Sequence, residues 1–263
     1  MLVVIKGAGD LASGIALRLH RSRIDVVMTE LPVPLAVRRT VAFSEAIRLG
    51  STVVEDVKAE RAKNTDEVRE CLARGVIPVL EDPEAEIVKI LKPEVVVDAI
   101  LAKRNTGTSI NDAKLVIGVG PGFYAGRDCH AVIETKRGHT LGRVIREGSA
   151  IPNTGVPGNV GGQTIRRLLK APADGIFHPE KEIGDLVREG DRVGNVDGVP
   201  VCALTDGKIR GLLQDGVHVT KGLKSGDVDP RGASVDHMTV SDKAMSIGGG
   251  VLEAILSYAG DRL

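Results

Sequence analysis

A short glycine-containing turn and one acidic residue near the start of the chain have the types and spacing of a nucleotide site. An apolar run ends at a Gly-Ala-Gly turn, a helical pattern follows, and a second apolar run ends at Glu30. Gly7 allows a tight turn, Gly9 lets backbone N–H groups approach a phosphate, and Ala12 is small enough for close helix–strand packing. A carboxylate about 20 residues further on can accept hydrogen bonds from ribose hydroxyls. The pattern therefore predicts cofactor binding at Gly7, Gly9, Asp10, Ala12 and Glu30.

The same pattern leaves two alternatives open. An unliganded turn in an ordinary strand–helix–strand unit, with Glu30 solvated, would show the same residues. Arg38 and Arg39 follow soon after Glu30 and could contact a 2′-phosphate, so these residues do not decide between NAD and NADP.

Cysteines and histidines are further candidates for chemistry. Cys129 and His130 are adjacent, but neighbours in a strand point to opposite faces, which favours a structural cysteine and a surface histidine over a nucleophile–base pair. His139 follows two basic residues and could help to hold a phosphate or a pterin-type anion, or lie in a solvated turn. The roles of these residues and of Cys202 stay open, and no histidine spacing predicts a metal site.

The composition argues against several classes of protein. Lys and Arg together number 35, as do Asp and Glu, so no net charge draws in nucleic acid. No apolar run approaches the roughly 20 residues of a membrane-spanning helix. The three cysteines are too widely separated for a disulfide framework. We therefore expect a soluble cytoplasmic protein with neither nucleic-acid nor membrane partners.

The elements that must position these residues follow an alternating order. Apolar runs and helical patterns alternate to about residue 105, which predicts an α/β fold with a Rossmann-like, mostly parallel sheet. Glycine then becomes dense, and a near-repeat of residues 183–194 in residues 214–224 predicts a small β-sandwich. We predict four segments: a Rossmann-like nucleotide-binding domain over 1–112, a glycine-rich middle segment over 113–172, a barrel-sandwich-like β domain over 173–238 and a C-terminal helix packing back over 239–263.

The predicted β domain resembles biotinyl and lipoyl carrier domains. Those domains attach their cofactor to a lysine at an exposed hairpin tip. The corresponding residues 197–202 contain no lysine. The resemblance therefore implies the barrel-sandwich fold without covalent biotin or lipoyl.

Two glycine-rich stretches interrupt the predicted elements. Residues 152–162 form a long loop, which we expect to be folded and functional. Three glycines at 248–250 lie within a predicted helix over 241–263, where each costs on the order of 1 kcal/mol relative to alanine. Either the helix begins at Gly250, or the backbone packs closely there, or the glycines form an anion-binding helix N-terminus.

Longer motifs resemble a known family. They read GAGDLASGIALRLH, GVGPGFYAGRDCHAVIETKRGHTLGRVI, NTGVPG, GLKSGDVDPRG and IGGGVLEAIL. These look like the YqeB-type proteins of the selenium-dependent molybdenum hydroxylase system over nearly the whole chain. The resemblance implies an accessory or maturation role, a molybdenum hydroxylase of the xanthine dehydrogenase type as partner, and a Rossmann-like N-terminal domain.

The leading hypothesis is an accessory protein that binds NAD(P) or another nucleotide-containing cofactor, such as molybdopterin dinucleotide. It would support cofactor insertion into a partner hydroxylase, or selenation of that hydroxylase. One alternative is an NAD(P)-dependent oxidoreductase whose substrate lies under the loop at 153–162, with His139 as the acid. Another is a non-catalytic scaffold. The sequence leaves open whether the chain catalyses a reaction and whether it forms a homo-oligomer.

Overall fold

The computed structural model describes residues 1–155 and 158–260, which form two compact units. Unit 1 comprises Met1–Pro34, Ala42–Thr154 and Val240–Leu263, and unit 2 comprises Leu35–Val41 and Gly155–Thr239. The predicted middle segment over 113–172 is thus divided between the two units. Parts of the predicted loop over 152–162 and of the predicted C-terminal helix, residues 156–157 and 261–263, lie outside the described residues.

Unit 1 contains one nine-stranded mixed sheet. Its strands are β1 (Leu2–Lys6), β2 (Asp25–Glu30), β3 (Ser51–Val54), β4 (Val57–Ala62), β5 (Ile77–Glu81), β6 (Val95–Asp98), β7 (Leu115–Val119), β8 (Ala131–Ile133) and β9 (Val144–Ile145). Their order is β3-β4-β5-β2-β1-β6-β7-β8-β9. The seven central strands are parallel, and β3 and β9 run antiparallel at the two edges. The carboxyl ends of the parallel strands consequently share one side of the sheet, which we call the carboxyl edge.

Unit 1 also contains helices, of which the first four lie between strands of the sheet in the chain and the last follows unit 2. They are α1 (Asp10–Arg21), α2 (Glu45–Leu49), α3 (Thr65–Ala73), α4 (Ile87–Leu91) and α5 (Asp242–Gly260). The side chain of Asn64 caps α3 by accepting hydrogen bonds from the backbone N–H groups of Asp66 and Glu67. The central strands β1, β6 and β7 are buried, which explains why their sequences are continuous apolar runs.

Unit 2 contains two four-stranded antiparallel sheets. Its strands are β10 (Leu168–Lys170), β11 (Gly175–Pro179), β12 (Leu186–Val187), β13 (Arg192–Val196), β14 (Val199–Cys202), β15 (Gly207–Leu212), β16 (Val217–Val219) and β17 (Lys224–Asp229). The sheet orders are β10-β17-β15-β12 and β14-β13-β11-β16. Phe177, Val193, Leu212 and Val228 belong to the buried apolar core of this unit.

The predicted fold class was wrong. A Rossmann-like, mostly parallel sheet was expected to end before a separate glycine-rich segment, but the sheet is large and mixed and includes β7, β8 and β9 from that segment. Instead of a clear barrel-sandwich domain of the biotinyl or lipoyl type, unit 2 has two antiparallel sheets, and β10 begins before residue 173. The physical reason is that glycine turns and short repeats specify local bends, whereas strand pairing depends on residues far apart in sequence.

The three glycines at 248–250 lie inside α5, which begins at Asp242. A Cβ atom on Gly248 would lie 2.8 Å from the carbonyl oxygen of Gly14 in α1, and one on Gly250 would overlap the carbonyl oxygen of Gly142. Close backbone packing therefore accounts for Gly248 and Gly250, whereas a Cβ atom on Gly249 would meet nothing within 4 Å. The three glycines do not form the N-terminus of the helix.

Candidate functional site

The two glycines of the N-terminal turn have different structural roles. Gly7 has a φ of 93°, and a Cβ atom there would lie 3.0 Å from the carbonyl oxygen of Ala99. Gly9 has a φ of −68°, and a Cβ atom there would meet nothing within 4 Å. The fold itself therefore requires glycine at position 7, whereas the space beside Gly9 is open.

This open space adjoins the N-terminus of α1, because Gly9 is the N-cap residue of that helix. The first intrahelical bond runs from the N–H of Ser13 to the carbonyl oxygen of Gly9, at 2.8 Å. Gly9 supplies no side-chain cap, so the N–H groups of the first turn have no intrahelical acceptor, and the helix end carries partial positive charge. Asp10 is the first residue of α1, where its carboxylate also adds negative charge. Ala12 is buried and packs in the core.

Glu30 lies against the same turn. One carboxylate oxygen accepts a hydrogen bond from the backbone N–H of Ala8 at 3.0 Å, and the other accepts one from the N–H of Leu31 at 2.8 Å. Burial raises the pKa of Glu30 above its usual range, against the opposing effect of these hydrogen bonds. The structure thus brings the acidic residue and the glycine turn together, as the spacing predicts. That these residues bind a cofactor stays a prediction.

Ser13 also positions the turn, and the sequence analysis missed it. Its hydroxyl donates to the carbonyl oxygen of Ala8 at 3.2 Å and accepts from the N–H of Phe43 at 2.8 Å. The N–H of Ser44 donates to the same oxygen of Ala8 at 2.9 Å. The turn is therefore fixed by a segment 30 residues away, which no local pattern could reveal.

A second missed group lies where β1 and β6 end side by side. The Lys6 ammonium donates to the Thr108 hydroxyl at 2.7 Å, and that hydroxyl donates to the Asp98 carboxylate at 2.6 Å. All three residues are buried. In open α/β sheets, ligands bind outside the carboxyl ends of two neighbouring strands whose connections run to opposite sides of the pair. The strands β1 and β6 form such a pair, because β1 leads to β2 on one side and β6 leads to β7 on the other. The sequence signal for this group was a charged residue at the end of each of two apolar strands, Lys6 at the end of β1 and Asp98 at the end of β6.

Arg38 and Arg39 are the two basic residues that follow Glu30 in the sequence. Both belong to unit 2, where Arg38 donates to the carbonyl oxygen of Thr239 at 3.4 Å and Arg39 to that of Leu212 at 2.8 Å. Their guanidinium groups are thus engaged with the backbone of unit 2.

The cysteine and histidine candidates are dispersed. Cys129 is fully buried, and burial raises its pKa to about 11. His130 accepts a hydrogen bond at Nδ1 from the N–H of Val116, at 3.0 Å, and burial lowers its pKa. His139 is exposed in the turn after β8, and Cys202 lies half-buried in unit 2. This placement does not assemble a nucleophile–base pair.

Residues 1–155 and 158–260 lack two further kinds of feature. No cluster of three or more His, Cys, Asp or Glu side chains could hold a metal ion there. No helix in these ranges combines the length and apolar content needed to cross a bilayer.

Comparison with known proteins identifies one close relationship. The chain is 52% identical over 255 residues to "Uncharacterized protein YqeB" of Escherichia coli strain K12, an alignment that covers 97% of this chain and 47% of that protein. The chain is a homologue of YqeB. It spans about half the length of YqeB, and no protein-family model matches it.

Solved structures similar to this chain are distant. An aspartoacylase family protein from Mesorhizobium loti shares 16% identity with a TM-score of 0.30, covering 86% of this chain and 84% of that protein. A succinylglutamate desuccinylase from Silicibacter sp. TM1040 shares 12% identity with a TM-score of 0.26, covering 86% and 84%.

Proposed function

We propose that this protein binds a nucleotide-containing cofactor at the glycine turn and Glu30, as an accessory or maturation protein of a selenium-dependent molybdenum hydroxylase system. The observation that carries the binding proposal is the open space at Gly9. Its φ suits any residue, and no atom of the protein occupies the position of a side chain. A ligand phosphate that approaches the backbone gives a reason for glycine there.

The groups around the turn supply the contacts that a nucleotide needs. The N–H groups at the start of α1 would hold a phosphate. Each carboxylate oxygen of Glu30 accepts one protein hydrogen bond and has further acceptor capacity for ribose hydroxyls. Leu31 and Val33 are 39% and 52% exposed and offer an apolar surface for the base.

Glu30 also bears on the class of cofactor. A carboxylate beside the ribose repels a 2′-phosphate, and Arg38 and Arg39 are engaged within unit 2. The proposal is therefore a nucleotide with unphosphorylated ribose hydroxyls, of the NAD or molybdopterin dinucleotide type rather than NADP.

The accessory role rests on relationship and motifs. The motifs quoted above resemble those of YqeB-type proteins, and the identity to YqeB extends over 97% of the chain. The proposed partner is a molybdenum hydroxylase of the xanthine dehydrogenase type, into which the protein would help to insert the cofactor or selenium.

The binding proposal is tested by calorimetric titration with NAD, NADP, FAD, ATP, CTP and a molybdopterin dinucleotide mimic. We expect saturable binding of one ligand that Glu30→Ala weakens and Gly9→Val abolishes. Gly249→Val is the matched control, because Gly249 also has open space at its Cβ position and no positive φ. No binding across the panel, or equal binding by the Gly9→Val and Gly249→Val variants, would rule out this site.

The accessory role needs a separate measurement. Deletion of the gene should lower the activity of a molybdenum hydroxylase in the same cell, and Gly9→Val should fail to restore that activity. Unchanged hydroxylase activity after deletion would refute the role, whatever the titration shows.

A further inference from the structure

Three loops meet at the carboxyl edge beyond β6, β7 and β8. A Cβ atom on Gly120, after β7, would lie 2.9 Å from the hydroxyl of Thr135, after β8, and 3.6 Å from the side chain of Leu101, after β6. One on Gly122 would lie 2.7 Å from the backbone of Arg104. The loops that follow the three strands therefore form one continuous surface.

This surface carries uncompensated positive charge. Lys103, Arg104 and Lys136 are exposed, and within the described part of the chain none of them forms an ion pair. Two other basic side chains of these loops form ion pairs, Arg127 with Asp128 and Arg137 with Asp242. Three cations thus remain to attract an anion.

The buried carboxylates at this edge are already satisfied by the protein. Asp98 accepts hydrogen bonds from the hydroxyl of Thr108 and the N–H of Ile100. Glu134 accepts three backbone N–H hydrogen bonds, from Thr135, Lys136 and Ile151, at 2.7 to 2.8 Å. Neither carboxylate forms an ion pair with the three exposed cations.

The basic surface is continuous with the glycine turn. The Cβ position of Gly7 lies 3.0 Å from the carbonyl oxygen of Ala99 and 3.2 Å from Cα of Ile100. The loop after β6 therefore starts against the turn and reaches the basic surface at Lys103 and Arg104. A ligand longer than a mononucleotide could follow this loop.

We infer that Lys103, Arg104 and Lys136 bind an oxyanion, a phosphate or carboxylate, on the end of the ligand remote from its nucleoside. The inference rests on the proposed nucleotide site and specifies its ligand: the second half is anionic, unlike the nicotinamide half of NAD. When two ligands differ only in one charged group, a positively charged binding surface binds the anionic ligand more tightly than the neutral one.

Residue-resolved NMR titration with inorganic pyrophosphate tests the surface directly. We expect amide shifts both at Gly9 and Asp10 and at residues 103–104 and 135–136. Shifts at Gly9 and Asp10 alone would overturn this inference and leave the proposed function standing. Shifts at the basic surface alone would support the anion site and count against the nucleotide site, and no shifts at either place would overturn both.

A matched pair of ligands tests whether the anion belongs to the remote end. Nicotinic acid adenine dinucleotide carries a carboxylate where NAD carries a carboxamide, and we expect it to bind roughly two- to fivefold more tightly. Arg104→Gln with Lys136→Gln should remove the preference, while Lys114→Gln, an exposed lysine directly before β7 at the opposite edge, should retain it. Equal affinity of both dinucleotides for the wild-type protein, or a preference that survives the double substitution, would overturn the inference. If neither dinucleotide binds, the pyrophosphate titration decides.

Discussion

Gly250 of α5 lies directly against the carbonyl oxygen of Gly142, with no room for a side chain between them. Gly142 is itself constrained, because it has a φ of 80° and its Cβ position lies 2.5 Å from the carbonyl oxygen of Ser246. The loop between β8 and β9 thus packs backbone to backbone on the C-terminal helix. On α1, a Cβ atom at Gly14 would lie 2.6 Å from that of Ala244, so the same helix makes a second close contact.

Alanine substitution should change the stability of the protein in opposite directions at Gly250 and at Gly249. Gly250→Ala should lower the free energy of unfolding by about 1–3 kcal/mol, because the new methyl group overlaps Gly142. Gly249→Ala should raise it by up to about 1 kcal/mol, because the site is open and alanine favours the helix. Urea denaturation of both variants measures the difference. Equal effects of the two substitutions would contradict the packing described for α5.

Removal of the Glu134 charge should destabilise unit 1. In Glu134→Gln an N–H₂ group replaces one of the two carboxylate oxygens that accept backbone N–H hydrogen bonds, so a donor then faces a donor. We expect this substitution to lower the free energy of unfolding by about 1–3 kcal/mol. The exposed Glu147 provides the control, and Glu147→Gln should change stability little. A Glu134→Gln variant as stable as the wild-type protein would show that these three hydrogen bonds contribute nothing net.

The three cysteines should differ in reactivity towards a disulfide reagent in the native protein. Cys202 is partly exposed, whereas Cys71 and Cys129 are buried and burial raises the pKa of both thiols. We expect one rapid thiol at pH 8, lost in Cys202→Ser, and two more on unfolding. A rapid phase that disappears in Cys129→Ala instead would mean that Cys129 is accessible to chemistry.

Stability should fall on mild acidification because of His130. Burial lowers its pKa below 6.5 and its Nδ1 must stay unprotonated to accept from Val116, so the unfolded chain binds the proton more readily. The stability present above pH 6.5 is therefore lost as the pH falls towards the folded-state pKa. In thermal unfolding at pH 7.5 and 5.5, His130→Asn should show a smaller decrease in Tm than the wild-type protein. His218→Asn, at an exposed site, should keep the wild-type decrease, and an unchanged profile in His130→Asn would rule out this origin.

The local unit at the start of the chain was predictable from sequence. The apolar runs correspond to β1 and β2, the helical pattern corresponds to α1, and Glu30 ends β2 beside the turn. These features depend on residues close in sequence: turn geometry, helical periodicity and a single short crossover. The cap of α3 is equally local, because Asn64 accepts from N–H groups only two and three residues further along the chain.

The fold class was not predictable in the same way. Glycine density between residues 106 and 172 hid the fact that β7, β8 and β9 extend the first sheet. Strand pairing is determined by contacts between residues that are distant in the sequence. The backbone hydrogen bonds between two strands produce no recognisable sequence pattern in either strand alone.

The sequence by itself determined the strand–turn–helix–strand unit with Gly9 and Glu30, because local sterics and hydrophobic periodicity suffice for it. Only the tertiary structure decided that Arg38 and Arg39 are engaged within unit 2, that Lys6 meets Asp98 through Thr108, and that Gly250 is a packing residue. Each of these depends on which distant segments approach one another, and that is set by burial of the whole core rather than by any neighbouring residue.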